Sequence, residues 1–319
     1  MKQKNTFIRS AMLIAMGSMI FFSSCEKDDT PAPTNTITDI VVSGSTFTTL
    51  ESAVLKANLQ ATLSGAGPFT VFAPDDAAFI ASGITTATLN SLTAAQVQKI
   101  LLYHTIGSKI AAADVPAGPN AKVITASGDS VFVTKNSTGV YVNGIKVTTA
   151  DVSADNGVIH VIGKVLIPPA GNIVETAVAS GLDSLVKAVT RATTASGGDP
   201  SLASTLGTAR LTVFAPTNAA FTQLLSALSL AKIDDIPVAT LLAVLRYHVV
   251  GGRAFSSDLS NSSLAMLAGG NTTVNLSNGT GGGPTITGNG NSGNKSNIIA
   301  TNIVCRNGVV HLIDRVLIP

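Results

Sequence analysis

The stretch Asn156-Gly-Val-Ile-His-Val-Ile-Gly-Lys-Val-Leu-Ile-Pro168 returns as Asn307-Gly-Val-Val-His-Leu-Ile-Asp-Arg-Val-Leu-Ile-Pro319, identical at 9 of 13 positions. Upstream, Thr70-Val-Phe-Ala-Pro-Asp-Asp-Ala-Ala-Phe79 recurs as Thr212-Val-Phe-Ala-Pro-Thr-Asn-Ala-Ala-Phe221, with only Asp75 and Asp76 replaced. Between these pairs, Leu102-Tyr103-His104 becomes Arg246-Tyr247-His248. The offsets of 142, 144 and 151 residues are a whole-domain period, far longer than the few tens of residues of a solenoid. The chain is a tandem duplication.

Within each copy the hydrophobic spacing changes from helical to extended. Phe47, Leu50, Val54, Leu55 and Leu59 lie at helical intervals, and Leu182, Leu185 and Val189 repeat them. The Thr-Val-Phe-Ala-Pro run is short, apolar and β-branched, so a buried strand ends at Pro74 or Pro216 and turns into an Ala-Ala-Phe helix. Thr93-Ala-Ala-Gln96 is a capping-box pattern ahead of a helix ending near Tyr103. Pro237 suits the first turn of its counterpart. Asn143-Gly144 between β-formers predicts a hairpin. The segment from Val158 to Ile167 is apolar at both alternating positions, as in a strand buried on both faces. Residues 193–201 and 278–294 of the second copy read as Gly- and Ser-containing loops.

The first residues follow another logic. Residues 1–24 hold Lys2, Lys4 and Arg9, no acid, and an apolar run from Ala11 to Phe22 that is too short to cross a bilayer. It leads into Phe22-Ser-Ser-Cys25, which resembles a bacterial lipobox. That resemblance implies cleavage before Cys25, lipid on its new N-terminus, and residues 25–36 as a lipidated tether reaching roughly 40 Å when extended. Glu26-Lys-Asp-Asp29 resembles an export tag for the outer face of the outer membrane. The expected location is therefore the outer membrane, lipid-anchored and facing the cell exterior. Losing the signal removes three of the 20 basic residues and none of the 18 acidic ones, leaving a net charge of −1. Neither that balance nor any Lys/Arg cluster points to nucleic acid.

Taken in order, the first helix, Thr-Val-Phe-Ala-Pro, Tyr-His and Asn-Gly-Val-x-His-x-Ile-x-(Lys/Arg)-Val-Leu-Ile-Pro resemble the fasciclin domain, twice over. The resemblance implies an α+β fold of two tandem, wedge-shaped β-sandwich domains with surrounding helices, at residues 37–169 and 170–319. It also implies extracellular or cell-surface adhesion without general catalytic activity. Pro168-Pro-Ala-Gly171 joins the copies closely enough to limit their relative orientations. Gly163 stands where the family usually has an acid, kept as Asp314 in the second copy, so if that acid pairs with a nearby Lys or Arg the first copy lacks the pair.

Four histidines carry the candidate chemistry, and the duplication pairs them as His104 with His248 and His160 with His311. In adhesive relatives the Tyr-His segment has been proposed as a receptor epitope, which marks Tyr103, His104, Tyr247 and His248 as interaction residues. The apolar neighbours Leu101, Leu102, Ile106, Leu245 and Val249 favour a packing role instead. His160 and His311 share a strand face with Lys164 and Arg315, cations that oppose imidazolium formation, so structural hydrogen bonding is expected. The histidines within a copy lie 56 and 63 residues apart and no His-Glu-x-x-His occurs, so no metal site is expected. Gly288-Asn-Gly-Asn-Ser-Gly293 fits the letters of a dinucleotide fingerprint but lacks the strand and helix around it, and reads as a flexible loop. No nucleophile elbow or Cys-His pair is present, and Cys305 matches Ala154 of the first copy. No catalytic residue and no cofactor emerge. The partners expected are the membrane, through Cys25, and an extracellular protein, matrix component or glycan.

Overall fold

In the computed structural model, which describes residues 35–319, each copy opens one helix earlier than its hydrophobic spacing predicts. The signal segment, Cys25 and most of the tether lie outside the described residues. Helix α1 (Ile37–Ser43) is rich in β-branched residues, and a capping box starts it: the Thr36 hydroxyl accepts from the Asp39 N–H while the Asp39 carboxylate accepts from the Thr36 N–H. The expected amphipathic helix follows as α2 (Thr48–Lys56), then α3 (Gln60–Leu63). Strand β1 (Phe69–Pro74) leads into α4 (Asp76–Ala81), α5 (Thr86–Ser91) and α6 (Ala94–Tyr103). The Thr93/Gln96 capping box starts α6 as its sequence implies.

The rest of the copy is sheet: β2 (Thr105–Ile106), β3 (Gly118–Ile124), β4 (Ser130–Asn136), β5 (Gly139–Val142), β6 (Ile145–Ala154) and β7 (Gly157–Ile162). They hydrogen-bond in the order β2-β1-β7-β6-β5-β4-β3. β1 and β7 are parallel, with Phe72 opposite His160, and every other pairing is antiparallel.

The second copy repeats this plan. Helices α7 (Ile173–Ala179), α8 (Asp183–Thr194) and α9 (Pro200–Thr208) precede β8 (Leu211–Pro216), α10 (Asn218–Ala227) and α11 (Val238–Arg246). Its strands β9 (Val249–Gly251), β10 (Ser263–Ala265), β11 (Asn271–Asn275), β12 (Thr285–Gly288), β13 (Ser296–Cys305) and β14 (Gly308–Ile313) complete a sheet ordered β10-β11-β12-β13-β14-β8-β9.

Each sheet folds over on itself at a bulge. β6 slips register around Asp151, at φ 58°, and β13 does so around Asn302, at φ 65°. The halves of the first sheet enclose Phe72, Tyr103, Val131, Val133, Val147 and Ile162. The opposite faces of β1 and β7 carry Val71, Ala73 and Ile159 into a second core against the helices, with Ile37, Leu50, Val54 and Leu101. That is why these strands are buried at nearly every position: one parity faces sheet, the other faces helix.

The two substitutions in the stretch that opens with Thr-Val-Phe-Ala-Pro preserve local jobs. Asp75 caps α4 as Thr217 caps α10. Asp76 accepts from the Thr49 N–H at the start of α2, as Asn218 accepts from the Ser184 N–H at the start of α8. The Asn-Gly of the closing motif is likewise structural. Asn156 accepts from the Ile37 N–H and donates to the carbonyls of Leu63 and Gly65, and Asn307 does the same for Ile173, Leu206 and Ala209. A Cβ on Gly157 would lie 2.1 Å from the Phe69 carbonyl oxygen, so only glycine fits there.

Several expectations need correction. The closing strand stops at Ile162, because Gly163 and the residues after it leave the ladder to run under the helices. Residues 193–201 are a loop only over residues 195–199, since α8 continues to Thr194 and Asp199 caps α9 with Pro200 in its first turn. Residues 278–294 contain β12, and Asn291 is buried there, donating to the Val316 carbonyl and accepting from the Ile318 N–H. The Gly-rich segment is a clamp on residues 316–318. Pro237 sits just before α11, at its cap, with Val238 as the first helical residue.

Candidate functional site

The Tyr-His pairs end α6 and α11 and point inward. Tyr103, His104, Tyr247 and His248 are each at most 2% exposed. Val97 and Leu101 enter the core against the helices, whereas Tyr103 enters the sheet fold-over and His104 lies beneath the closing segment.

His104 Nε2 accepts from the Leu166 N–H at 2.9 Å and Nδ1 lies 2.8 Å from the Ile100 carbonyl oxygen. His248 repeats this with Leu317 at 2.9 Å and Val244 at 2.7 Å. An acceptor at Nε2 and a donor at Nδ1 define one neutral tautomer. Burial holds both imidazoles down to about 4. Each ring ties the end of a helix to the Val-Leu-Ile-Pro segment that follows the last strand.

The tyrosines tie the same helix end to the far half of the sheet. Tyr103 donates to the Ser130 carbonyl at 3.0 Å and accepts from Asn143 Nδ2 at 3.0 Å, and burial pushes its hydroxyl up to about 12. Tyr247 donates to the Asn271 carbonyl and accepts from the Asn289 N–H at 3.2 Å. The donor that the Asn143-Gly144 turn supplies in one copy thus comes from the Gly/Asn segment in the other.

His160 and His311 lie inside the fold-over, against Phe72 and Phe214 at ring-centroid distances of 5.8 and 5.4 Å. Nε2 of each is 2.9 Å from a carbonyl oxygen, of Ile110 and Ala254 respectively. Burial holds His311 down to about 4. The basic neighbours invoked from the sequence are not its cause, because the strand ends before Arg315. Among the described residues Asp314 forms no cation pair either: its carboxylate accepts from the backbone and side-chain amides of Asn297. Cys305 is buried with its thiol pushed up by burial. Among the described residues, no cluster of three or more His, Cys, Asp or Glu could hold a metal ion, and no helix is long and apolar enough to cross a membrane.

What sequence reasoning missed is the contact between the copies. The described residues fall in one compact unit, and residues 253–258 of the second copy rest on β3 and β4 of the first. The Phe255 and Phe132 rings approach to 6.1 Å between centroids, packed with Val304 and Val309. The Arg253 guanidinium lies 3.9 Å over the Phe132 ring. Asn120 donates to the Arg253 carbonyl at 2.8 Å and Thr134 donates to Asp258 at 3.2 Å. Gly144, at φ 73°, has room for no Cβ, since one would lie 2.6 Å from Asn302 of the second copy. The signal was in the alignment of the copies: Phe255 corresponds to Ala111, an aromatic present in one copy only.

The family comparison agrees with the duplication. The fasciclin domain family matches residues 45–168 and again residues 185–319. Protein sll1483 of Synechocystis is 41% identical over 42% of this chain and 74% of its own length. Transforming growth factor-beta-induced protein ig-h3 of Sus scrofa is 34% identical over 43% of this chain but only 20% of its own length. A solved FAS1 domain pair from the insect cell adhesion molecule Fasciclin I overlays at a TM-score of 0.38 and 18% identity, covering 85% of this chain and 96% of that one.

Proposed function

This chain belongs to the fasciclin domain family, and from that premise we propose that it is a non-catalytic, surface-displayed interaction protein whose two domains mediate adhesion to a protein or matrix component. The observation that carries this reading is the state of its titratable side chains. All four histidines are buried and three of them are held near 4, and the polar ends of both Tyr-His pairs are taken up by the fold. Groups so engaged serve architecture rather than proton transfer. The Tyr-His pairs are on this reading structural, and recognition falls to the outer surface.

Display completes the proposal. Lipid on Cys25 would hold the protein at the outer membrane through more than one acyl chain, the tether would lift the domains outward, and two similar domains would raise avidity for a repeated partner. The test is adhesion of cells lacking the protein, combined with protease shaving of intact cells. Reduced adhesion, with the protein accessible to protease, is expected. Unchanged adhesion and a shielded protein would sink the reading.

A second reading is accessory capture of polysaccharide. It is weakened by the aromatics: the paired Phe72/Phe214, Phe79/Phe221 and Tyr103/Tyr247 are buried and the chain has no tryptophan, so stacking platforms for sugar rings are scarce. It is favoured by an open polar cleft between the domains.

A further inference from the structure

Beside the Phe132–Phe255 contact the domains leave an open cleft of about 660 Å³ with walls from both. Lys122, Asp129 and Ser130 line it from the first domain, and Arg210, Arg253 and Arg306 from the second. Four cations thus face one carboxylate, in a chain whose 20 basic and 18 acidic residues are otherwise nearly balanced. Among the described residues, no ion pair within 4.0 Å engages any of the four.

Arg253 makes the imbalance physical. It is partly buried, and among the described residues its guanidinium donates only to the backbone carbonyls of Cys305, Arg306 and Gly308. Those bonds satisfy N–H groups without neutralising the charge. Burial, and then the neighbouring Arg210 cation, hold its pKa below the usual guanidinium range. A half-desolvated cation beside a second cation is destabilised unless an anion joins them. The cleft lies where two domains meet, a frequent place for ligand sites, and falls within their usual size range of roughly 300–1,000 Å³.

We propose that this interdomain cleft binds the carboxylate or sulfate groups of an acidic polysaccharide. A protein partner of this size would be anchored by aromatic or aliphatic side chains in a desolvated pocket. Here the ring of Phe132 is covered by Arg253, and polar and charged side chains dominate the lining. An open cleft lets a chain pass through while the exposed Arg210 and Arg306 guanidiniums grip its acidic groups in bidentate fashion. The site exists only in the two-domain protein. It rests on the capture reading above and supplies its chemical class.

The test is isothermal titration of the purified protein with oligogalacturonate, sulfated dextran, neutral dextran and polyglutamate at low and moderate salt, repeated with the Arg210→Ser/Arg306→Ser variant. Both of these side chains are exposed and outside the Phe132–Phe255 contact, so the variant should unfold at the parent temperature. Binding of oligogalacturonate or sulfated dextran, weakened about tenfold or more in the variant and falling with salt, is the expected result, and the stronger of the two identifies uronate or sulfate. Acidic-glycan binding that the variant leaves intact, or binding to neutral dextran alone, would overturn the site while leaving polysaccharide capture standing. Tighter binding of polyglutamate, lost in the variant, would make the cleft a peptide site. No binding to any glycan at low salt would remove both the site and the capture reading.

Discussion

Phe132 of the first domain and Phe255 of the second pack with ring centroids 6.1 Å apart, and neither has an aromatic equivalent in the other copy. Phe255 replaces Ala111, and Phe132 corresponds to Thr273, as the hydrogen bonds of Tyr103 to Ser130 and of Tyr247 to Asn271 align the strands. The contact is heterologous: a loop of one domain meets a strand face of the other. Such contacts propagate into fibres when each unit carries both halves. Here each domain carries only one, so the pairing stops at two.

Replacing Phe255 by Ala should therefore uncouple the domains. A cost of about 3–5 kcal/mol is expected for removing a fully buried phenyl ring, seen by calorimetry as one unfolding transition splitting into two. A single transition at the parent temperature would contradict this interface.

His104→Ala should leave the Leu166 N–H and the Ile100 carbonyl buried without partners, costing on the order of 2–4 kcal/mol. His248→Ala should cost a similar amount through Leu317 and Val244. Both are measurable by urea unfolding. If stability holds while adhesion is lost, the Tyr-His pairs are contact residues and the structural reading fails.

Acid should destabilise the protein within a defined window. His104, His248 and His311 are held near 4 in the fold against about 6.5 in an unfolded chain. Between those values the unfolded state binds more protons, so stability is fully present above about pH 6.5 and is lost as pH falls towards 4. The slope is about 1.4 kcal/mol per pH unit for each proton taken up. In alkali the sign reverses for Tyr103: its folded value near 12 exceeds the unfolded value of about 10, so stability falls as pH rises through that interval. Denaturant midpoints that stay flat from pH 7 to 4 would show the histidines to be solvated.

Asn291→Ala should free the closing segment of the second domain. Loss of two buried hydrogen bonds, to Val316 and Ile318, predicts about 1–3 kcal/mol of destabilisation and faster amide exchange at Ile318. Unchanged exchange there would return the Gly/Asn-rich segment to a passive loop.

Duplication, the α+β class, the Thr-Val-Phe-Ala-Pro strand, the Thr93/Gln96 capping box and the Asn143-Gly144 turn were legible from sequence. Apart from the duplication and the fold class, each is a local signal, written in residues that are neighbours along the chain: a capping oxygen three residues from its amide, or a turn whose residues must accept positive φ. The internal repeat doubled the evidence for every element. Helix α1 escaped because its β-branched composition imitates a strand, and only the reciprocal Thr36–Asp39 bonds reveal the helix.

Tertiary structure alone decided where polar side chains spend their hydrogen bonds. That His104 reaches Leu166, that Asn291 reaches Ile318, and that Arg253 lies on Phe132 while facing the Arg210 cation are relationships across tens to more than a hundred residues. No periodicity encodes them, because they arise from how the bulges at Asp151 and Asn302 fold each sheet over and how two diverged surfaces meet. Residue type set what each group was able to do, while its surroundings in the folded chain selected one use and left the others without a partner.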